Sequence, residues 1–183
     1  KYTVFDIDGT ILPGDAMLSK GMLDVIHGLI AKGVMVGFAT GRNFHFASEV
    51  ANQIKGKFYL AICNGAVILR YPEKTIVSES YLSLHETELV RKLLQDKEHP
   101  CIINGTIHSN EKTYTFHNPP TRPPIQNFLA NQKKEHFIID NILQSKEKQF
   151  SCLYSAVPSS MIETEIAEFN KELPHLNFTY ITD

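Results

Sequence analysis

The stretch Val4-Phe5-Asp6-Ile7-Asp8-Gly9-Thr10-Ile11-Leu12 sets two carboxylates directly after a short apolar run and follows them with Gly-Thr. Tyr2–Ile7 is apolar apart from Thr3 and Asp6, the composition of a strand buried on both faces of a parallel sheet. Downstream, Met22, Val25, Ile26, Leu29 and Ile30 repeat at helical spacing within Met17–Ala31 and stop before Gly33. Val34–Ala39 is a second strand, and Thr40-Gly41-Arg42 turns into a helix with Phe46, Ala47, Val50, Ala51 and Ile54 on one side. Phe58–Cys63 is a third strand. This alternation predicts an α/β fold: a parallel sheet with helices on its faces and right-handed crossovers.

The pattern then changes. Ala66–Arg70 and Thr75–Ser80 flank Tyr71-Pro72-Glu73-Lys74 as a hairpin would. A helix is expected near His85–Lys97, strands around Pro100–Ile107 and Lys112–Phe116, a rigid proline-rich loop at Asn118–Pro124 and a helix at Ile125–Lys134. A strand at Ser151–Val157, an amphipathic helix at Ser159–Leu173 and a last strand at Asn177–Thr182 complete the reading. The boundary falls near Tyr81–Leu84, giving residues 1–81 as a doubly wound core and 82–183 as an α+β domain.

Composition narrows the partners. With 18 Lys and Arg against 20 Asp and Glu, the formal charge is -2. No long block of one sign attracts nucleic acid or an anionic membrane, so a small molecule or a protein is expected. Three cysteines, Cys63, Cys101 and Cys152, show neither disulfide-framework nor zinc spacing and fit a reducing, cytoplasmic compartment. No apolar run approaches the roughly 20 residues that span a bilayer. The chain begins at Lys1 without methionine, which leaves room for a removed leader. Nothing in the sequence signals an oligomeric state.

In open α/β sheets the ligand crevice lies outside the carboxyl ends of the strands, so Asp6 and Asp8 would meet Thr40, Gly41 and Arg42 there. Period-two alternation turns both carboxylates the same way while the strand lasts, which is costly unless a cation or proton is shared. Carboxylate and carbonyl oxygens suit Mg²⁺, which keeps waters and binds substrate phosphate oxygens. The alternative is that Asp8-Gly9 is simply a turn.

Asp6-Ile7-Asp8-Gly9-Thr10 resembles the first motif, DxDGT, of the haloacid dehalogenase-like (HAD) superfamily. Phe38-Ala39-Thr40-Gly41-Arg42 resembles its second motif, and Cys63-Asn64-Gly65-Ala66 is similar to the Asn-Gly-Ala segment of the Cof-type branch. The resemblance implies a Rossmann-like core with an inserted α+β cap. It also implies a Mg²⁺-dependent phosphatase acting on a small phosphorylated metabolite such as a sugar phosphate. Asp6 would be the nucleophile that forms an aspartyl-phosphate, and Asp8 the general acid and base. Asp6 and the Asp8 carbonyl would hold the metal. The Thr40 hydroxyl and the Gly41 amide, at a helix N-terminus, would bind phosphoryl oxygens. Arg42 would anchor phosphate or tie down the loop. A phosphomutase of similar fold, or an inactive ligand-binding or regulatory relative, is the alternative.

The family pattern also has a lysine motif and a final Gly-Asp-x-x-Asn-Asp, and neither occurs after Leu82. Lys146, Lys148 and Lys171 are poor substitutes, and Asp140 and Asp183 sit in the wrong context. The expectation is therefore a fragment of a longer phosphatase, with an incomplete core that is inactive alone. Among other candidates, His45 could reach the site or pack, and His108 and His117 flank a cap hairpin and could contact substrate. Arg122 lies in the proline-rich loop. Cys63 reads as a buried small apolar residue, and Phe44 and Phe46 as helix packing.

Overall fold

A computed structural model describes residues 1–13, 17–116, 126, 129–130 and 136–180. The chain forms two compact units, Lys1–Leu82 with Gly105–Glu111 and Gln149–Cys152, and Ser83–Asn104 with Lys112–Lys148 and Leu153–Asp183.

The first unit runs β1 (Tyr2–Asp6), α1 (Lys20–Ala31), β2 (Met35–Ala39), α2 (Phe44–Ala51), β3 (Phe58–Ile62), β4 (Val67–Tyr71) and β5 (Thr75–Glu79). Its sheet has the order β1-β2-β3-β4-β5. The first three strands are parallel, with Asp6 opposite Ala39, and the last two run antiparallel as a hairpin. Helix α1 starts at Lys20 rather than Met17, because the Ser19 hydroxyl accepts the Met22 amide and caps it. It ends where Gly33, at φ +72, lets its own amide reach Ile30 and that of Val34 reach Leu29. Between helices and sheet lie Ile7, Ile26, Val36, Val50 and Leu60. Phe38 packs edge-on against Phe58, which stacks on Tyr71 at 5.0 Å between ring centres.

One expectation is overturned in β1. The strand is not buried on both faces: Tyr2 is 83% and Val4 63% exposed. Among the described residues β1 pairs only with β2, so it is an edge strand. Its inward residue Phe5 packs on the core while the alternate side chains stay in water.

Past Leu82 the elements are β6 (Leu82–Ser83), α3 (Leu84–Asp96), β7 (Ile102–Gly105), β8 (Thr113–Phe116), β9 (His136–Ile139), β10 (Gln149–Tyr154) and α4 (Ile162–Glu172). A second sheet has the order β6-β10-β7-β8-β9. Ser83 and Glu86 form a reciprocal capping box at the start of α3. Ser83 hydrogen bonds hold the Glu86 carboxyl below the usual range. The second unit buries Val90, Leu94, Ile102, Ile103 and Ile142, together with a hydrogen-bonded polar pair, His99 Nε2 and Glu165 Oε1, 2.7 Å apart. Strand β9 is an addition to the sequence reading; its four residues are too few to show a period. Residues 177–180 form no strand: the apolar alternation is there, but no strand among the described residues pairs with it. Residues 126, 129 and 130 of the expected Ile125–Lys134 helix are helical. The rest of it, with Asn118–Pro124, His117, Arg122, Ile181, Thr182 and Asp183, lies outside the described residues.

Candidate active site

The C-terminal ends of β1 and β2 lie side by side, and the chain turns sharply after each. The Ile7 amide reaches the Ala39 carbonyl, continuing the ladder one residue past Asp6. The Ile7 carbonyl then accepts the amides of Thr10, Ile11 and Leu12, and Gly9 takes φ +73 to close the bend. Asp8 therefore stands on a tight turn outside the strand, and strand alternation does not extend to it. The expected Asp8-Gly9 turn is present, and it leaves the Asp8 carboxylate outside the strand.

The two acids take different partners. Thr10 Oγ1 donates to Asp6 Oδ2 at 2.9 Å. Thr40 Oγ1 donates to Asp8 Oδ2 at 2.8 Å, and Arg42 holds Asp8 Oδ1 through Nε at 2.9 Å and Nη2 at 2.6 Å. Each carboxylate thus has its own donors, one hydroxyl on Asp6 and a hydroxyl and a guanidinium on Asp8. The Asp8 side chain is 50% exposed, so solvent screens this ion pair and its worth to the fold is at most about 1 kcal/mol.

The segment Thr40–Arg42 is stitched to the end of β3. The Thr40 amide donates to the Ala61 carbonyl, the Cys63 amide to the Arg42 carbonyl and the Asn64 amide to the Thr40 carbonyl. Cys63 and Asn64 both adopt left-handed backbone, at φ 49 and 55. That bend sets Asn64 Oδ1 2.9 Å from where a Cβ on residue 41 would be, so a side chain at this position would have to displace the Asn64 amide. Helix α2 begins at Phe44, capped by the Asn43 side chain, three residues beyond Gly41. The expected position of the Gly41 amide at a helix N-terminus is corrected accordingly: Gly41 lies in the loop ahead of the helix, because the Asn43 side chain sets the helix start.

The remaining candidates separate clearly. The His45 ring lies edge-on to Phe46, its Nε2 buried without a hydrogen-bond partner. His108 Nε2 is 2.8 Å from Glu79 Oε2, and that bond holds the Glu79 carboxyl below its usual range. Cys63 is buried; hydrogen bonding with Cys152 and then desolvation push its thiol well up, away from nucleophilic character. Lys74 Nζ lies over the Phe44 ring. Sequence reasoning gave no role to Thr10, Asn64 or Glu111, which accepts two amides of α2. Thr10 and Asn64 stand inside the quoted motifs, but Glu111 has no local signal at all.

Among the described residues no three His, Cys, Asp or Glu side chains group as a metal cage, and no helix is long and apolar enough to cross a membrane. The hard oxygen donors at Asp6 and Asp8 do suit Mg²⁺, which typically takes one or two carboxylates and fills its shell with water and substrate oxygens.

A family model described as haloacid dehalogenase-like hydrolase matches residues 3–182. A Buchnera aphidicola (subsp. Baizongia pistaciae) protein named "Putative phosphatase" is 30% identical over 117 residues, which are 62% of this chain and 41% of the relative. A second one so named, from Buchnera aphidicola (subsp. Acyrthosiphon pisum), is 22% identical over 175 residues, 95% of this chain and 62% of the relative. The chain thus spans less than two thirds of the length of both. Among solved structures, a haloacid dehalogenase-like hydrolase from Bacteroides thetaiotaomicron superposes with a TM-score of 0.73 at 15% identity, over 100% of this chain and 68% of that one. A HAD subclass IIB sugar phosphatase gives 0.67 at 19% identity, over 95% and 64%. At these identities the likeness speaks for the fold.

Proposed function

The chain belongs to the haloacid dehalogenase-like hydrolase family, and on that footing we propose that the whole protein is a Mg²⁺-dependent phosphatase releasing phosphate from a small phosphorylated metabolite. A sugar phosphate is the substrate class we favour, since one structural neighbour is described as a sugar phosphatase. In this reading residues 1–81 are the N-terminal part of the catalytic core and 82–183 the cap. Action in the cytoplasm fits three cysteines that form no disulfide. The observation that carries the proposal is the convergence of Thr40 and Arg42 on Asp8 beside Asp6, at the carboxyl ends of adjacent parallel strands.

Asp6 acts as the nucleophile. One carboxylate oxygen accepts the Thr10 hydroxyl, which fixes the rotation of the group and directs the other oxygen toward phosphorus. The P–O bond to the leaving group breaks as the Asp6–phosphorus bond forms, and Asp8 in its protonated form delivers its proton to the departing oxygen. Water then attacks phosphorus, Asp8 takes its proton, and the Asp6 carboxylate is regenerated as inorganic phosphate leaves.

The contacts of Asp8 match the second half of this cycle, in which it must be ionised and oriented. For the first half, the Arg42 guanidinium must release it. Thr40 has a single hydroxyl hydrogen and cannot serve Asp8 and a phosphoryl oxygen together. Substrate binding therefore turns that hydrogen from Asp8 to the phosphate, loosening Asp8 as it takes up its proton. Gly41 permits close approach of the backbone. Asp6 and the Asp8 carbonyl would hold Mg²⁺, which supplies charge neutralisation between carboxylate and phosphate.

Screening the complete reading frame against phosphorylated metabolites with Mg²⁺, and Asp6→Asn as control, tests the assignment. Phosphate release by the wild type and its loss in the variant is the expected result. Release from no substrate, or equal release by the variant, would refute it.

A further inference from the structure

The first turn of a helix leaves its leading amides unpaired and its positive end open to an anion. In α2 each of these amides already has an acceptor. Phe46 N–H donates to Asn43 Oδ1 at 3.2 Å. The amide of Phe44 donates to Glu111 Oε1 and that of His45 to Glu111 Oε2, the latter at 2.9 Å.

Glu111 comes from far along the chain and is only 2% exposed. It follows the short turn Ile107–Ser109, and both Asn110 and Glu111 adopt left-handed backbone, at φ 61 and 52. The Glu111 amide is tied back to the Thr106 carbonyl at 3.0 Å. Two successive left-handed residues other than glycine are costly, and so is a buried carboxylate whose oxygens lack donors. The helix end offsets the second cost by giving each oxygen an amide and a favourable field.

We propose that Glu111 is a positioning residue that fills the anion site of α2 from within the chain, confining a bound phosphate group to the Thr40–Gly41 segment ahead of the helix. This rests on the reading of that segment as the phosphate site. Arg42 stands two residues before Phe44, so pinning the helix start also fixes the point from which the guanidinium reaches Asp8. A carboxylate here further opposes a phosphate dianion nearby, and its charge tempers how tightly product phosphate is held.

The test is titration of inorganic phosphate into the ¹⁵N-labelled chain, with amide exchange measured alongside. In the wild type the Thr40 and Gly41 amide resonances shift and those of Phe44 and His45 do not. In Glu111→Ala the latter two lose about tenfold or more of their exchange protection and begin to respond to phosphate. Glu111→Gln keeps shape and one acceptor and still folds, but it melts below the wild type because its NH2 group faces the other amide. With the charge gone it binds phosphate about threefold more tightly, the scale of a unit charge acting on a dianion across a water-like gap. A purely structural Glu111 leaves that affinity unchanged.

Phosphate-induced shifts at Phe44 and His45 in the wild type, or unaltered exchange in Glu111→Ala, overturn the proposal. Should Thr40 and Gly41 ignore phosphate while Phe44 and His45 behave as stated, the phosphate-site reading falls, and confinement with it. Glu111 then remains the anion that fills the helix end. Wild type and Glu111→Gln decide these points even if the alanine variant does not fold.

Discussion

The two units use charge in opposite ways. At the ends of β1 and β2, Asp8 is half exposed and its ion pair with Arg42 faces water, so these groups are free to exchange partners. In the second unit His99 and Glu165 are sealed, with side chains 3% and 4% exposed, and His99 Nδ1 and Glu165 Oε2 have no hydrogen-bond partner. The same chemistry thus serves two ends. A screened ion pair contributes little to the fold and can serve a ligand, whereas a buried polar pair is committed to its partner and makes the fold depend on it.

The sharpest way to break this comparison is to change both ends and read activity and stability separately. Asp6→Asn is expected to lower phosphate release by the whole protein about 10⁴-fold or more, while its urea midpoint stays within error of the wild type. A large stability loss there would show the site acids to be structural. Conversely, Glu165→Ala leaves the His99 ring buried without its partner, and should cost about 2 kcal/mol in urea titrations. Replacing both by apolar residues of similar size should recover most of that loss. If the single variant is neutral, the pair is not sealed.

Tyr71 tests the same rule inside the first unit. Its ring is 2% exposed and its hydroxyl has no partner; desolvation pushes the phenol up to about 12. The folded value lies above the unfolded one near 10, so the stabilising contribution is complete below about pH 10 and lost as pH rises toward 12, about 2 kcal/mol in all. Tyr71→Phe should remove that share of the alkaline loss, as read by the pH dependence of the thermal midpoint. The smallest effect belongs to Gly41→Ala. The added Cβ meets Asn64 Oδ1 at 2.9 Å, and displacing it should cost about 1 kcal/mol. Asn64→Ala in the same chain should relieve the clash, as a double-mutant cycle would show.

Much of the first unit was legible because its signals are local. Helical spacing in α1, apolar runs in β2 and β3 and the Pro-containing hairpin turn each fix an element within a dozen residues. The acids of VFDIDGTIL were legible for the same reason. What escaped depends on neighbours far off in sequence. The exposure of β1 follows from pairing on one side only, β9 exists because β8 is there to pair with it, and residues 177–180 stay unpaired.

By itself the sequence determined which residues are candidates for chemistry, since residue type and spacing decide where carboxylates, glycines and caps can fall. It determined the α/β character of the first unit as well. Only the tertiary structure decided how those groups are paired. Arg42 holds Asp8 while Thr10 holds Asp6, Asn64 crowds the position of Gly41, and Glu111 fills the end of α2. Hydrogen bonds and burial depend on distances in space, and residues 66 positions apart have no period in sequence through which to announce that they touch.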